Sequence, residues 1–129
     1  MLTAINYQYE QIELFPKATK AEIQKAKELL EEYEQAIQIR SGFEKESIED
    51  LSETEKASYH KCVRKIKQIE RAVRIISDLE VRTITEYRYI KCNTYTETIQ
   101  EFTKYMDDRT VDRKLKKGIR SVAETLKLF

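Results

Sequence analysis

The amino-acid sequence predicts an all-α protein, and three observations support this fold class. Charged residues make up 36% of the chain, which has only two glycines and one proline among 129 residues, a composition typical of long amphipathic helices. Apolar residues recur at steps of three and four, as on the buried face of a helix. At four places a Ser/Thr-x-x-Glu sequence, typical of a helix N-terminus, precedes such a stretch: Thr19 with Glu22, Ser52 with Glu55, Ser77 with Glu80, and Thr94 with Glu97.

The first long helix is predicted over residues 20–39, after Pro16 and before Gly42. Gly42 is expected to take the left-handed conformation that ends many helices. The buried stripe of this helix is predicted to contain Ile23, Ala26, Leu29, Leu30, Tyr33, Ala36 and Ile37. Residues 41–51 are polar and acidic, and we expect a mobile linker there. For residues 1–15 the pattern leaves a short helix, an extended arm and a strand open.

Four further helices follow in the prediction. The second long helix covers residues 53–76 and buries Tyr59, Cys62, Val63, Ile66, Ile69, Val73 and Ile76. A third helix starts at Ser77 and buries Leu79, Val81, Ile84, Tyr87 and Ile90. A short fourth helix covers residues 95–105 and buries Ile99, Phe102 and Met106. The fifth helix opens on Asp108, with Asp107 or Asp108 as its cap, and buries Val111, Leu115, Ile119, Val122 and Leu126.

The net charge of +1 hides an asymmetry between the two parts of the chain. Residues 1–58 carry seven Lys or Arg and thirteen Asp or Glu, whereas residues 59–129 carry seventeen and ten. A basic C-terminal half can bind an anion, and nucleic acid is the commonest polyanion of a cytosol. The predicted linker and the Ser52 cap divide the sequence into residues 1–51, an N-terminal arm with an acidic long helix and a linker, and residues 52–129, a helical domain with the helix-turn-helix at residues 94–127.

Residues 94–127 have the outline of a helix-turn-helix, because a short helix and a break precede a longer basic helix. The second helix of such a motif lies in the major groove of DNA, where its N-terminal residues contact base edges. The predicted base-reading residues are Arg109, Thr110, Arg113 and Lys114. Asp112 either accepts from a cytosine amino group or orients Arg109 or Arg113. The predicted phosphate contacts are Lys116, Lys117, Arg120, Lys104 and Lys91.

Two parts of the chain resemble a known family. Residues 107–117, which contain Asp108-Arg109-Thr110-Val111, resemble the start of the last helix in sigma-factor region-4-like domains, and residues 86–90 resemble the aromatic end of the preceding helix. Residues 14–19 and 26–33 resemble the opening of ArpU-type phage regulators. The resemblance is to the ArpU/RinA group of phage late transcription regulators. It implies a sigma region-4-like helix-turn-helix, promoter binding, activation of late genes and contact with RNA polymerase.

Other functions have less support in the sequence. His60 and Cys62 are two residues apart and so lie on different helix faces, and no further pair completes a zinc site; we expect no metal and no cofactor. No nucleophile with a positioned base is indicated, so we do not expect an enzyme. No apolar run approaches the roughly 18 residues of a membrane span, and the first residues lack a signal-peptide pattern. The expected location is therefore the cytoplasm, and the resemblance to phage regulators implies that of a bacterial host.

Three functions remain open at this point. The leading one is a sequence-specific regulator that binds double-stranded DNA, either as one chain or as a homodimer whose long helices pair. The second is a helical protein–protein interaction module whose basic helix is only solvated. The third is a small phage packaging (terminase) subunit, which also combines a helix-turn-helix with oligomerising helices.

Overall fold

The computed structural model describes residues 17–129, and every regular element in that range is helical, which confirms the all-α prediction. The elements are α1 (Lys20–Glu31), α2 (Tyr33–Glu44), a 3₁₀ turn (Ile48–Asp50), α3 (Glu53–Arg74), α4 (Leu79–Thr85), a π-helical turn (Glu86–Ile90), α5 (Tyr95–Phe102) and α6 (Asp108–Leu126). The alternatives for residues 1–15 lie outside the described residues, as does Pro16.

The predicted end of the first long helix is wrong. Glu32 separates α1 from α2, but its N–H still donates to the Glu28 carbonyl at 3.0 Å. The helix then continues to Glu44, because Gly42 does not take a positive φ and so does not end it. Residues 41–51 are therefore not one linker. They contain the end of α2, the 3₁₀ turn and Leu51, which is buried.

Three of the four predicted capping boxes are present, at Thr19, Ser52 and Thr94. The fourth is wrong, because Asp78 rather than Ser77 caps α4. The Oδ1 atom of Asp78 accepts from the N–H groups of Glu80 and Val81 at 3.0 and 3.1 Å. This start places Leu79 at the first helical position with 64% of its surface exposed, contrary to its predicted burial.

The π-helical turn after α4 changes which tyrosine is buried. Its Lys91 N–H donates to the Glu86 carbonyl at 2.8 Å, and the wider turn adds one residue to the helical repeat. As a result Tyr89 lies in the same core as Ile84. Tyr87, the predicted core residue, is only half-buried and packs edge-on against the Phe102 ring.

α6 is the central helix of the core and contacts α1, α3, α4 and α5. The fully buried large side chains of the core are Leu30, Ile66, Ile69, Val73, Ile84, Val111 and Val122. Two polar contacts join α2 to α3: the Tyr33 hydroxyl donates to Glu70 Oε2 at 2.7 Å, and the Cys62 thiol donates to the Ala36 carbonyl at 3.2 Å. The N-terminal helices therefore pack against the rest of the chain, and one side of α6 stays outside.

Candidate nucleic-acid interface

The exposed side of α6 carries the predicted basic residues. Val111, Leu115, Ile119 and Val122 are buried, as their spacing predicted. Opposite them lie five exposed cations, which we call the α6 cationic face: Arg109, Arg113, Lys116, Lys117 and Arg120. The aliphatic residues on one side of the helix hold these charges outward on the other, so the surface is open to a ligand.

Asp107 begins α6. Its Oδ1 atom accepts from the Thr110 N–H at 2.7 Å, and its ψ of 163° is the extended conformation of an N-cap. Hydrogen bonds from Thr110 hold the pKa of the Asp107 carboxyl below its ordinary value. Asp108 is the first residue of the helix, and both carboxylates stabilise the positive end of the helix dipole. The Asp107 carboxylate thus caps the helix that carries Arg109.

Asp112 bonds to two neighbours rather than to the arginines. Lys116 Nζ lies 2.8 Å from its Oδ2 atom, and the Tyr95 hydroxyl donates to Oδ1 at 2.9 Å. Both hydrogen bonds lower the pKa of Asp112, that of Lys116 more strongly, and the same contact raises the pKa of Lys116. Because Tyr95 is the first residue of α5, this network ties the short helix to the cationic helix. The structure does not bring Asp112 together with Arg109 or Arg113.

Lys114 and Thr110 lie at the margin of the cationic face. Lys114 Nζ is 3.2 Å from Glu80 Oε2 on α4, and only 19% of the Lys114 side chain is exposed. Thr110 is half-buried. Lys114 thus joins α6 to α4, which the sequence did not indicate, because Glu80 precedes it by 34 positions.

The two remaining predicted phosphate contacts lie outside α6. Lys104 is exposed in the break after α5 and pairs with Glu101 at 3.2 Å. Lys91 is exposed at the end of the π-helical turn. Two hydrogen bonds join this turn to the loop that follows it: Arg88 donates to the Asn93 carbonyl and Asn93 donates to the Tyr87 carbonyl, both at 2.8 Å. These bonds fix the path of the chain into α5.

Sequence reasoning missed Tyr95 and Glu80 as members of this site. Tyr95 is 45% exposed, and two signals were available for it: its place beside the Thr94 cap and its place among the tyrosines near the basic motif. Within residues 17–129, no cluster of histidine, cysteine and acidic side chains has the arrangement needed to hold a metal ion. Among the described helices, none combines the length and apolar character of a membrane span.

Comparisons with known proteins identified no relative of this chain. Protein-family models, curated proteins and solved structures all give no significant match to the chain.

Proposed function

We propose that this protein binds double-stranded DNA in a sequence-specific manner, with α6 in the major groove and α5 as the preceding helix of a helix-turn-helix. The observation that carries the proposal is the α6 cationic face, whose five Lys and Arg side chains are all exposed on one side of a helix buried on the other. A short helix, α5, and the break over residues 103–107 precede it, as in DNA-binding motifs of this type.

The positions along α6 suggest separate roles. Arg109 and Arg113 are one turn apart near the N-terminus, where a recognition helix meets base edges, and arginine can donate two hydrogen bonds to guanine. Lys117 and Arg120 lie further along and are assigned to phosphates. Lys116 forms an ion pair with Asp112. We assign Asp112 to holding α5 and α6 together through Tyr95, and Lys114 to the contact with α4.

The biological role that we propose follows from the resemblance at residues 107–117. It is transcription regulation of phage late genes through a sigma region-4-like motif, with RNA polymerase as a further partner. A homodimer would place two α6 helices about 34 Å apart, in successive major grooves.

Selection of bound duplexes from a random pool tests the proposal directly. The wild-type protein should enrich one site. Arg113→Ala should relax the preference at one position and cost about 1–3 kcal/mol on the selected site. Lys117→Ala should weaken every duplex about equally and lower the slope of log affinity against log salt by about one.

Lys45→Ala is the matched control, because Lys45 is an exposed cation just after α2 and outside α6. It should bind as the wild type does. The proposal is wrong if no duplex is enriched, or if Arg113→Ala and Lys117→Ala both bind all duplexes like the wild type.

A second candidate, a protein–protein interaction module, is favoured by one observation. Ile75 and Leu79 are 53% and 64% exposed at the turn between α3 and α4, and neighbouring exposed apolar side chains can mark a protein interaction site. This function predicts that the wild-type protein enriches no duplex from the random pool, and that Ile75→Ser with Leu79→Ser abolishes binding of a protein partner.

A further inference from the structure

The outward side of α3 carries a second row of cations. Every exposed residue between positions 61 and 74 is a lysine or an arginine. We call this row the α3 cationic face, and its members are Lys61, Arg64, Lys67, Arg71 and Arg74. They follow one another at steps of three and four, so they share one side of the helix. At 1.5 Å per residue the row is about 20 Å long.

Among the described residues no carboxylate forms an ion pair with this row, although Glu70 and Glu86 line the same pocket as Arg74. Between Lys56 and Arg74 the single acidic residue is Glu70, which accepts from the Tyr33 hydroxyl toward α2. Within residues 17–129 none of the five cations forms an ion pair, whereas the half-buried Lys65 pairs with Glu32. Arg71 also lies over the Phe129 ring, 5.6 Å from its centroid. Like charges repel one another along a helix, so the row costs stability and favours an anionic ligand.

The α3 and α6 cationic faces lie on separate surfaces. α3 and α6 pack directly on each other, and their buried residues, such as Ile69 and Val122, belong to one core. Each cationic face lies opposite its own helix's buried side, so both point away from the contact between the helices. Because both faces point away from the core that the helices share, we expect a straight duplex bound along α6 to leave the α3 row free.

We propose that the α3 cationic face binds the phosphate backbone of a second duplex segment, so that one protein bridges two stretches of DNA. This inference rests on the proposed function for its first duplex. Phosphate binding requires only a row of positive charges, which is what the row offers. A membrane-surface helix needs an apolar side for insertion, and the apolar side of α3 is buried in the core. A specific protein interface needs an apolar centre, and residues 61–74 expose none.

A capture experiment tests the inference. Wild-type protein is bound to an immobilised duplex carrying its selected site, and a second, labelled duplex of unrelated sequence is added. The α3 variant combines Lys61→Gln, Arg64→Gln and Lys67→Gln, which spares Arg71 and its contact with Phe129. We expect the variant to hold the immobilised duplex within about twofold of wild type and to capture the labelled duplex at least about tenfold more weakly, because three phosphate contacts are removed.

The matched control replaces three exposed lysines elsewhere, Lys20, Lys25 and Lys45, with glutamine and so removes the same charge. It should capture both duplexes like the wild type. Circular dichroism and light scattering should show unchanged helicity and mass for the α3 variant, which excludes unfolding or loss of self-association as the cause.

The outcomes separate the two proposals. If wild-type protein binds no immobilised duplex at any site, the proposed function fails. If it holds the first duplex but captures no second one, or if the α3 variant captures the second as well as the wild type does, the inference from α3 is wrong and the proposed function stands. The inference from α3 would also be overturned if the wild-type protein captured no second duplex but bound phosphatidylserine vesicles, and if the α3 variant lost this vesicle binding.

Discussion

Gly118 lies where α6 packs tightly against Thr85 of α4. A Cβ atom added there would collide with Thr85 Oγ1 and would lie 3.2 Å from Thr85 Cβ. Thr85 cannot easily move away, because it is fully buried and its hydroxyl donates to the Val81 carbonyl at 2.7 Å. Gly42 is the opposite case, since nothing lies within 4 Å of its added Cβ atom. Packing of α6 on α4 thus requires glycine at position 118, whereas no close contact requires it at position 42.

Gly118→Ala should destabilise the protein by about 1–3 kcal/mol, because the added methyl group overpacks the α4–α6 contact. Gly42→Ala should stabilise it by about 0.5–1 kcal/mol, because alanine favours an exposed helix position more than glycine does. Urea denaturation of both variants measures the two changes in the free energy of unfolding. Equal stability of Gly118→Ala and the wild type would show that α6 and α4 are not in such close contact.

At the scale of the element, α5 is too short to be stable as an isolated helix. It has only eight residues, and a helix shorter than about 12 residues is marginal in water. Its capping box supplies two hydrogen bonds: Thr94 Oγ1 accepts from the Glu97 N–H at 3.1 Å, and Glu97 Oε1 accepts from the Thr94 N–H at 2.9 Å. The Tyr95 contact with Asp112 then joins this helix to α6.

Thr94→Ala should cost about 1 kcal/mol of stability, because it removes the acceptor for the Glu97 N–H. Amide hydrogen exchange over residues 95–102 should accelerate, while exchange in the centre of α3 should change less. Thr96→Ala is the control, since Thr96 is exposed inside the same helix and is not part of the cap. If Thr94→Ala exchanges no faster than Thr96→Ala, the cap does not stabilise α5.

At the scale of the whole molecule, helix starts are stabilised by carboxylates distributed along the chain. Hydrogen bonds at these starts lower the pKa of five capping residues, namely Glu22, Glu55, Asp78, Glu97 and Asp107. The ordinary values are 4.5 for the glutamates and 3.8 for the aspartates. A carboxyl whose pKa is lower in the folded state stabilises the fold above its ordinary pKa, and this contribution is lost as the pH falls through the folded value.

The free energy of unfolding should therefore change little between pH 7 and pH 5 on account of these groups, and should fall below about pH 4.5 as they are protonated. Urea denaturation at pH 7, 5 and 3 measures this dependence. Asp107→Asn should lose less stability on acidification than the wild type, because asparagine caps a helix without titrating. Equal stability at pH 7 and pH 3 would mean that the capping carboxylates contribute nothing.

The sequence by itself determined the class, most helix starts and the outward direction of the α6 charges. It could do so because a capping box and a three-and-four spacing are local: the partners of Thr19, Ser52 and Thr94 stand three residues away. The outward direction of Arg109 and Arg113 follows from the aliphatic spacing of the same helix in the same way.

Only the tertiary structure decided which residues of the site already bond to other side chains of the protein. Asp112 bonds to Tyr95 across 17 positions and Lys114 to Glu80 across 34, and such pairs depend on how helices pack, which no local pattern specifies. The same holds for Gly118, whose close contact with Thr85 is set by the approach of α6 to α4. The physical reason is the sequence separation of the contacts. Residues close along the chain determine each helix, whereas packing between helices that are distant in sequence determines which side chains remain open to a ligand.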